Sequence, residues 1–120
     1  MTPEAKVKKK VKEILTELGC YYVMPVTNGF GSSGAPDFLV CKEGKFIGVE
    51  CKANGGKPTA LQFKNLQNII EAGGNAFVIN EDNISTLPML LGVSNYVPSD
   101  RTNIRKTFAR IRLQQESENG

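Results

Sequence analysis

A chain of 120 residues, 40% hydrophobic and 22% charged, has the size of one domain and an ordinary globular make-up, which excludes two separate cores and wholesale disorder. The absence of histidine excludes Ser-His-Asp and Cys-His catalysis, histidine general bases and His-containing zinc sites, and the net charge of +3 leans only mildly toward polyanions. No apolar run reaches the ~18 residues of a membrane span, no apolar segment follows the early charges as in a secretory signal, and Cys20, Cys41 and Cys51 lack paired spacing. The expected compartment is therefore reducing and intracellular, the cytoplasm.

Thr2-Pro3-Glu4 reads as a helix start: a capping residue, a proline at the first position, then an acid. Val7, Val11, Ile14, Leu15 and Leu18 recur at helical spacing, and Gly19 stops the helix. Residues 20–26 read as a strand, with Pro25 marking an edge or the strand's end. Glycines and serines between Thr27 and Ala35 make a loop. Residues 37–41 and 45–52 read as strands around a Lys-Glu-Gly-Lys turn, followed by a second glycine-rich loop from Ala53 to Pro58.

Thr59-Ala60-Leu61-Gln62 is a capping-box pattern opening a second helix, with Leu66, Ile69 and Ile70 on its buried side and Gly73-Gly74 at its end. Ala76 to Ile79 is a short apolar strand. Residues 84–97 stay undecided, with Pro88 limiting any helix. Ser99-Asp100 caps a last helix with Ile104, Phe108 and Ile111 on one face, suited to the chain's own core or to a dimer contact. The expectation is one α/β domain over 1–113 and a frayed tail over 114–120. Its order is α-β-β-β-α-β, a mixed sheet flanked by helices, with a C-terminal helical extension.

Charge is unevenly spread. The 15 basic residues fall into three groups of five: one on the first helix around Lys6, Lys9 and Lys10, one on the last around Arg101 and Arg105, and one through the middle that includes Lys57. Two basic helices on either side of a less charged centre form either a phosphate-binding surface or two solvated faces.

A turn centred on Glu43-Gly44 sets Asp37 opposite Glu50, with Cβ atoms about 4.5–5.5 Å apart, and Lys52 two residues further along the same face. The reverse face carries Phe38, Val40, Ile47, Val49 and Cys51, all apolar. A three-residue loop with a bulge would instead put Asp37 and Glu50 on opposite faces. Two carboxylates so close repel unless a cation lies between them. Mg²⁺ suits the place because it takes oxygen ligands and is typically held by one or two carboxylates plus a substrate phosphate. Beside such an ion, Lys52 can position or help deprotonate an attacking water, or neutralise developing charge. Without it, the same residues are surface charges. Strand alternation turns Cys51 inward as a core cysteine rather than a nucleophile.

Gly34-Ala35-Pro36-Asp37 followed by Glu50-Cys51-Lys52 resembles the PD-(D/E)XK nuclease signature, and Pro58 to Gln62 with Ala72 to Ile79 is similar to the VRR-NUC branch of that superfamily. The resemblance covers roughly residues 4–80 and implies a restriction-endonuclease-like core and metal-dependent phosphodiester hydrolysis in DNA. It implies Asp37 and Glu50 as ligands of Mg²⁺ or Mn²⁺, the Cys51 carbonyl as a third, and Lys52 as the catalytic lysine. Gln62 would line the site by this resemblance, or serve only the capping box. A first-helix glutamate often completes such sites; Glu4 fits best, and is equally an acid favoured at a helix N-terminus.

Small stand-alone members of the branch resemble Holliday junction resolvases, which implies a homodimer on branched DNA, with no membrane and no small-molecule cofactor. The phosphate-contacting candidates are Lys6, Lys9, Lys10, Lys57, Arg101 and Arg105. The competing functions are a non-catalytic DNA-binding module and a nuclease directed at flaps or ends.

Overall fold

A computed structural model of the chain describes residues 1–26 and 34–93. The last helix expected from Ser99, its basic residues Arg101 and Arg105, and residues 114–120 lie outside them, as does most of the loop from Thr27 to Ala35.

The first helix, α1, spans Pro3–Glu17. Thr2 caps it, its hydroxyl accepting the Ala5 N–H at 3.1 Å, and Gly19 leaves it with a φ of 71°. Val7, Val11, Leu15 and Leu18 form its buried stripe. Strand β1 is Tyr21–Val23, shorter than the expected 20–26. Among the described residues its only partner is β2, Phe38–Lys42, and the ladder ends at Val23 opposite Leu39. The apolar residues beyond, Met24 and Val26, therefore have no neighbour to pair with in the ladder.

β2 and β3, Lys45–Cys51, form an antiparallel hairpin closed by two residues. Glu43 and Gly44 both have positive φ, 52° and 80°, the type I′ geometry that matches strand twist. The register sets Lys42 opposite Lys45 and Phe38 opposite Val49, so the two-residue reading of this turn holds and the bulged one does not. Phe38, Val40, Ile47, Val49 and Cys51 form one buried face with the stripe of α1, as expected. Ile79, Leu87, Leu91 and Val93 complete that core.

The other face of the sheet meets the second helix, α2, Ala60–Glu71. The approach is close at Gly48, where a Cβ would lie 2.7 Å from the Ile69 Cδ1. A side chain here would have to displace the end of Ile69, so glycine lets the helix lie close to the centre of the strand. β4, Asn75–Ile79, then pairs in parallel with β3, giving the sheet order β1-β2-β3-β4. The parallel pair requires the α2 crossover that precedes it. The undecided stretch resolves into a short 3-10 turn, Ile84–Thr86, and a one-turn helix, α3, Leu87–Leu90, with Pro88 inside its first turn. The result is a four-stranded mixed sheet flanked by helices in the expected α-β-β-β-α-β order. No helix among the described residues is long and apolar enough to cross a membrane.

Candidate active site

The carboxylates gather where the hairpin ends away from its turn. Asp37 stands one residue before β2, outside the ladder, and its Oδ2 accepts the Cys51 N–H at 2.8 Å. A side chain thus takes over the hydrogen bond that the strand pairing gives up. Glu50 is 2% exposed, buried between its strand neighbours and the loop that carries Asp37. Its Oε2 is buried and has no hydrogen-bond partner among the described residues. Burial raises the Glu50 carboxyl to about 8, and a hydrogen bond to Asp37 and that residue's charge push the same way against the pull of Lys52. An acid held this way is out of keeping with an ordinary strand surface, where carboxylates face water.

Two lysines neutralise the group. Lys8 Nζ lies 3.3 Å from Asp37 Oδ1 and 3.8 Å from Glu4 Oε2. Partial burial works to lower the Lys8 ammonium, but the charge and hydrogen bond of Asp37 outweigh it and its pKa is raised. Lys52 Nζ lies 4.0 Å from Glu4 Oε1. The first turns of α1 thus reach the end of β3, and Glu4 and Lys8 arrive together because residues four apart share a helix face. Lys8 is absent from the expected set. Its only sequence signal was the i, i+4 spacing from Glu4, which any surface ion pair on a helix also shows.

The structure brings together Asp37, Glu50, Lys52 and Glu4, and adds Lys8. Gln62 has the capping-box role: its Oε1 accepts the Thr59 N–H at 2.9 Å while Thr59 Oγ1 accepts the Gln62 N–H at 3.2 Å. Among the described residues no hydrogen bond joins Gln62 to the acids. Cys51 is fully buried in the core and its thiol is pushed up to about 12, chiefly by burial, so it is no nucleophile. Lys6, Lys9, Lys10 and Lys57 are exposed.

No group of three or more His, Cys, Asp or Glu among the described residues is placed to form a metal cluster by side chains alone. The pair of acids is nonetheless a fitting donor set for a hard cation that keeps several waters. The unpartnered, buried Glu50 Oε2 is the observation that fits, since such an oxygen is costly unless something positive meets it.

No family model matches the chain. A protein of Acyrthosiphon pisum secondary endosymbiont phage 1 named "Putative nuclease p44" is 38% identical over 58 residues, spanning 48% of this chain and 62% of that protein. A solved structure described as "VRR_NUC domain" is similar at a TM-score of 0.63 and 28% identity, over 80% of this chain and 100% of that one. The shared fold, the identity carried across it and the nuclease-named phage relative agree: the chain is similar in fold and sequence to the VRR_NUC domain.

Proposed function

We propose that the chain is a divalent-metal-dependent DNA endonuclease that cuts branched DNA, resembling a Holliday junction resolvase and acting as a homodimer. The buried Glu50 with an unpartnered oxygen, held against Asp37 and two lysines, carries this reading. The likeness to the VRR_NUC domain and the name of the phage relative support nuclease chemistry.

Asp37, Glu50 and the Cys51 carbonyl would hold Mg²⁺ or Mn²⁺. Bound there, the ion supplies a water of lowered pKa and Lewis-acid stabilisation of charge on the phosphate. The Cys51 N–H fixes the Asp37 carboxylate in place before substrate arrives, so no reorientation is needed. Lys52 orients the attacking water and offsets charge that builds on the phosphodiester. Lys8 pairs with Asp37 at 3.3 Å and offsets its charge. Glu4 holds the Lys52 ammonium toward the site. The exposed Lys6, Lys9, Lys10 and Lys57 contact flanking phosphates, which makes binding salt-dependent.

On the outer sheet face Tyr21, Cys41 and Phe46 lie in one register row and, among the described residues, are exposed together with Val23, which supports association with a second copy. Two sites related by a two-fold axis suit a symmetric junction.

The test is cleavage of a labelled panel of four-way junction, flap, duplex and single strand with Mg²⁺ or Mn²⁺, beside EDTA and Lys52→Ala. Metal-dependent cuts lost in Lys52→Ala, strongest on the junction, are expected. DNA binding without cleavage of any substrate would replace the proposal with a non-catalytic binding module.

A further inference from the structure

On the flank of α1 turned away from Asp37 lies a small open cavity of about 160 Å³. Its floor is apolar, formed by Pro3, Val7 and Ile84. Lys6 and Lys10, one helical turn apart, stand at its rim. Both are exposed, and among the described residues neither forms an ion pair. Asn54 and Glu81 close the wall, where Glu81 Oε1 accepts the Asn54 N–H at 2.9 Å.

We propose that this cavity receives one unpaired nucleobase of the DNA strand bound at the neighbouring acids. The inference rests on the nuclease reading above and narrows its substrate to branched DNA with an unpaired nucleotide near the scissile phosphate. Size supports a single ring system: a cavity of about 150 Å³ in an apolar core takes one benzene. A base pair is far too large. The apolar floor suits a ring face, since a base taken out of the stack is held between apolar or aromatic side chains.

The rim supplies what the base's own backbone needs, two unpaired ammonium groups for its phosphate. The wall supplies an acceptor: one Glu81 oxygen is used by Asn54, and the other can accept from an exocyclic amino group. In a duplex that amino group is already engaged in pairing, so the wall favours an unpaired base.

Position supports the same occupant. Asn54 follows Lys52 by two residues, and Glu81 follows the end of β4 as Lys52 follows the end of β3. The first turns of α1 lie over both strand ends. One flank, through Glu4 and Lys8, touches the acids; the other, through Lys6 and Lys10, borders the cavity. A strand crossing this helix end would meet the acids on one side and the cavity on the other.

The experiment measures binding in EDTA, where no cleavage can occur. The probes are a short single strand with one 2-aminopurine, the same strand fully paired, and the same strand with an abasic position. For the wild-type protein, the 2-aminopurine fluorescence is expected to change in the single strand and not in the duplex, and the abasic strand should bind about tenfold more weakly. Ile84→Phe, which fills the cavity without changing charge, should remove the difference between base-bearing and abasic strands. Lys6→Ala with Lys10→Ala should weaken both strands alike. Equal binding of abasic and base-bearing strands by the wild-type protein overturns the proposal, and needs no variant to fold. A protein with that result that still cuts branched DNA with metal loses the base cavity and keeps its nuclease function. Loss of cleavage with the base-dependent binding intact would do the reverse.

Discussion

The two ends of the β2–β3 hairpin answer different demands. At the turn, Glu43 and Gly44 take the positive φ values that a two-residue connection requires, and Glu43 lies in water beside the Lys42 ammonium, 3.2 Å away. The two turn residues are explained by backbone geometry, and the buried Lys42 ammonium has the Glu43 carboxylate as a partner. At the other end Glu50 is buried, an oxygen of it is unpartnered, and a second acid is held against it. Backbone geometry gives no reason for that arrangement, and burial of a carboxylate costs stability. Within one supersecondary unit, the end that satisfies local rules shapes the fold and the end that violates them is where chemistry belongs.

Substitution at the acid end should therefore affect activity first. Asp37→Asn is expected to lower metal-dependent cleavage by about 100-fold or more while the protein stays folded, since the amide oxygen can still accept the Cys51 N–H. Cleavage rates beside circular dichroism measure both, and retained activity would remove Asp37 from the site.

The next effect concerns pH. Without divalent cation, folded Glu50 keeps its proton up to about 8, whereas the unfolded chain releases it near the ordinary 4.5. The folded state binds more protons in that window, so this residue's contribution to stability is fully present below about 4.5 and is lost as pH rises through about 8. Thermal unfolding at a series of pH values should show the fall, and Glu50→Gln should flatten it. A profile with the same slope in the variant would refute the assignment.

The turn end should answer more quietly. Gly44 has a φ of 80° and open space where a Cβ would go, so Gly44→Ala meets only backbone strain. The expected cost is about 1 kcal/mol, or about 4 °C in Tm for a domain of this size, with cleavage unchanged. Smallest of all, Glu43→Gln replaces the exposed acid beside the buried Lys42 ammonium with a neutral acceptor and should change stability by less than about 1 kcal/mol in chemical denaturation. A large loss at either turn position would erase the contrast between the ends.

Much of this was legible in the residues themselves. Glu43-Gly44 fixed the register, and the register placed Asp37 beside Glu50. Thr2-Pro3 and Thr59 to Gln62 marked the helix starts because caps act over three or four residues. The length of β1 was misread because apolar residues such as Met24 and Val26 signal strand whether or not a partner strand extends beside them. The burial of Glu50 was hidden for a similar reason. Alternation gives the face, but how that face is covered depends on a crossover that brings α2 down onto Gly48. Lys8 was invisible because its target is a loop residue far along the chain. The site role expected for Gln62 rests on resemblance; its capping role is the one the structure displays.

The two-residue turn also sets an order of events. A hairpin with so short a connection closes on the microsecond scale, from the turn outward, ahead of contacts between distant segments. Its last pairs to zip are those next to Asp37 and Glu50. Lys8, on a helix that must dock from elsewhere in the chain, reaches Asp37 only afterwards. For that interval the nascent hairpin holds two like charges together with Lys52 beside them but without Lys8, and the closing step carries an electrostatic barrier of its own. Refolding should then run faster at pH 5 than at pH 8 in stopped-flow measurements, and Glu50→Gln should make the two rates converge.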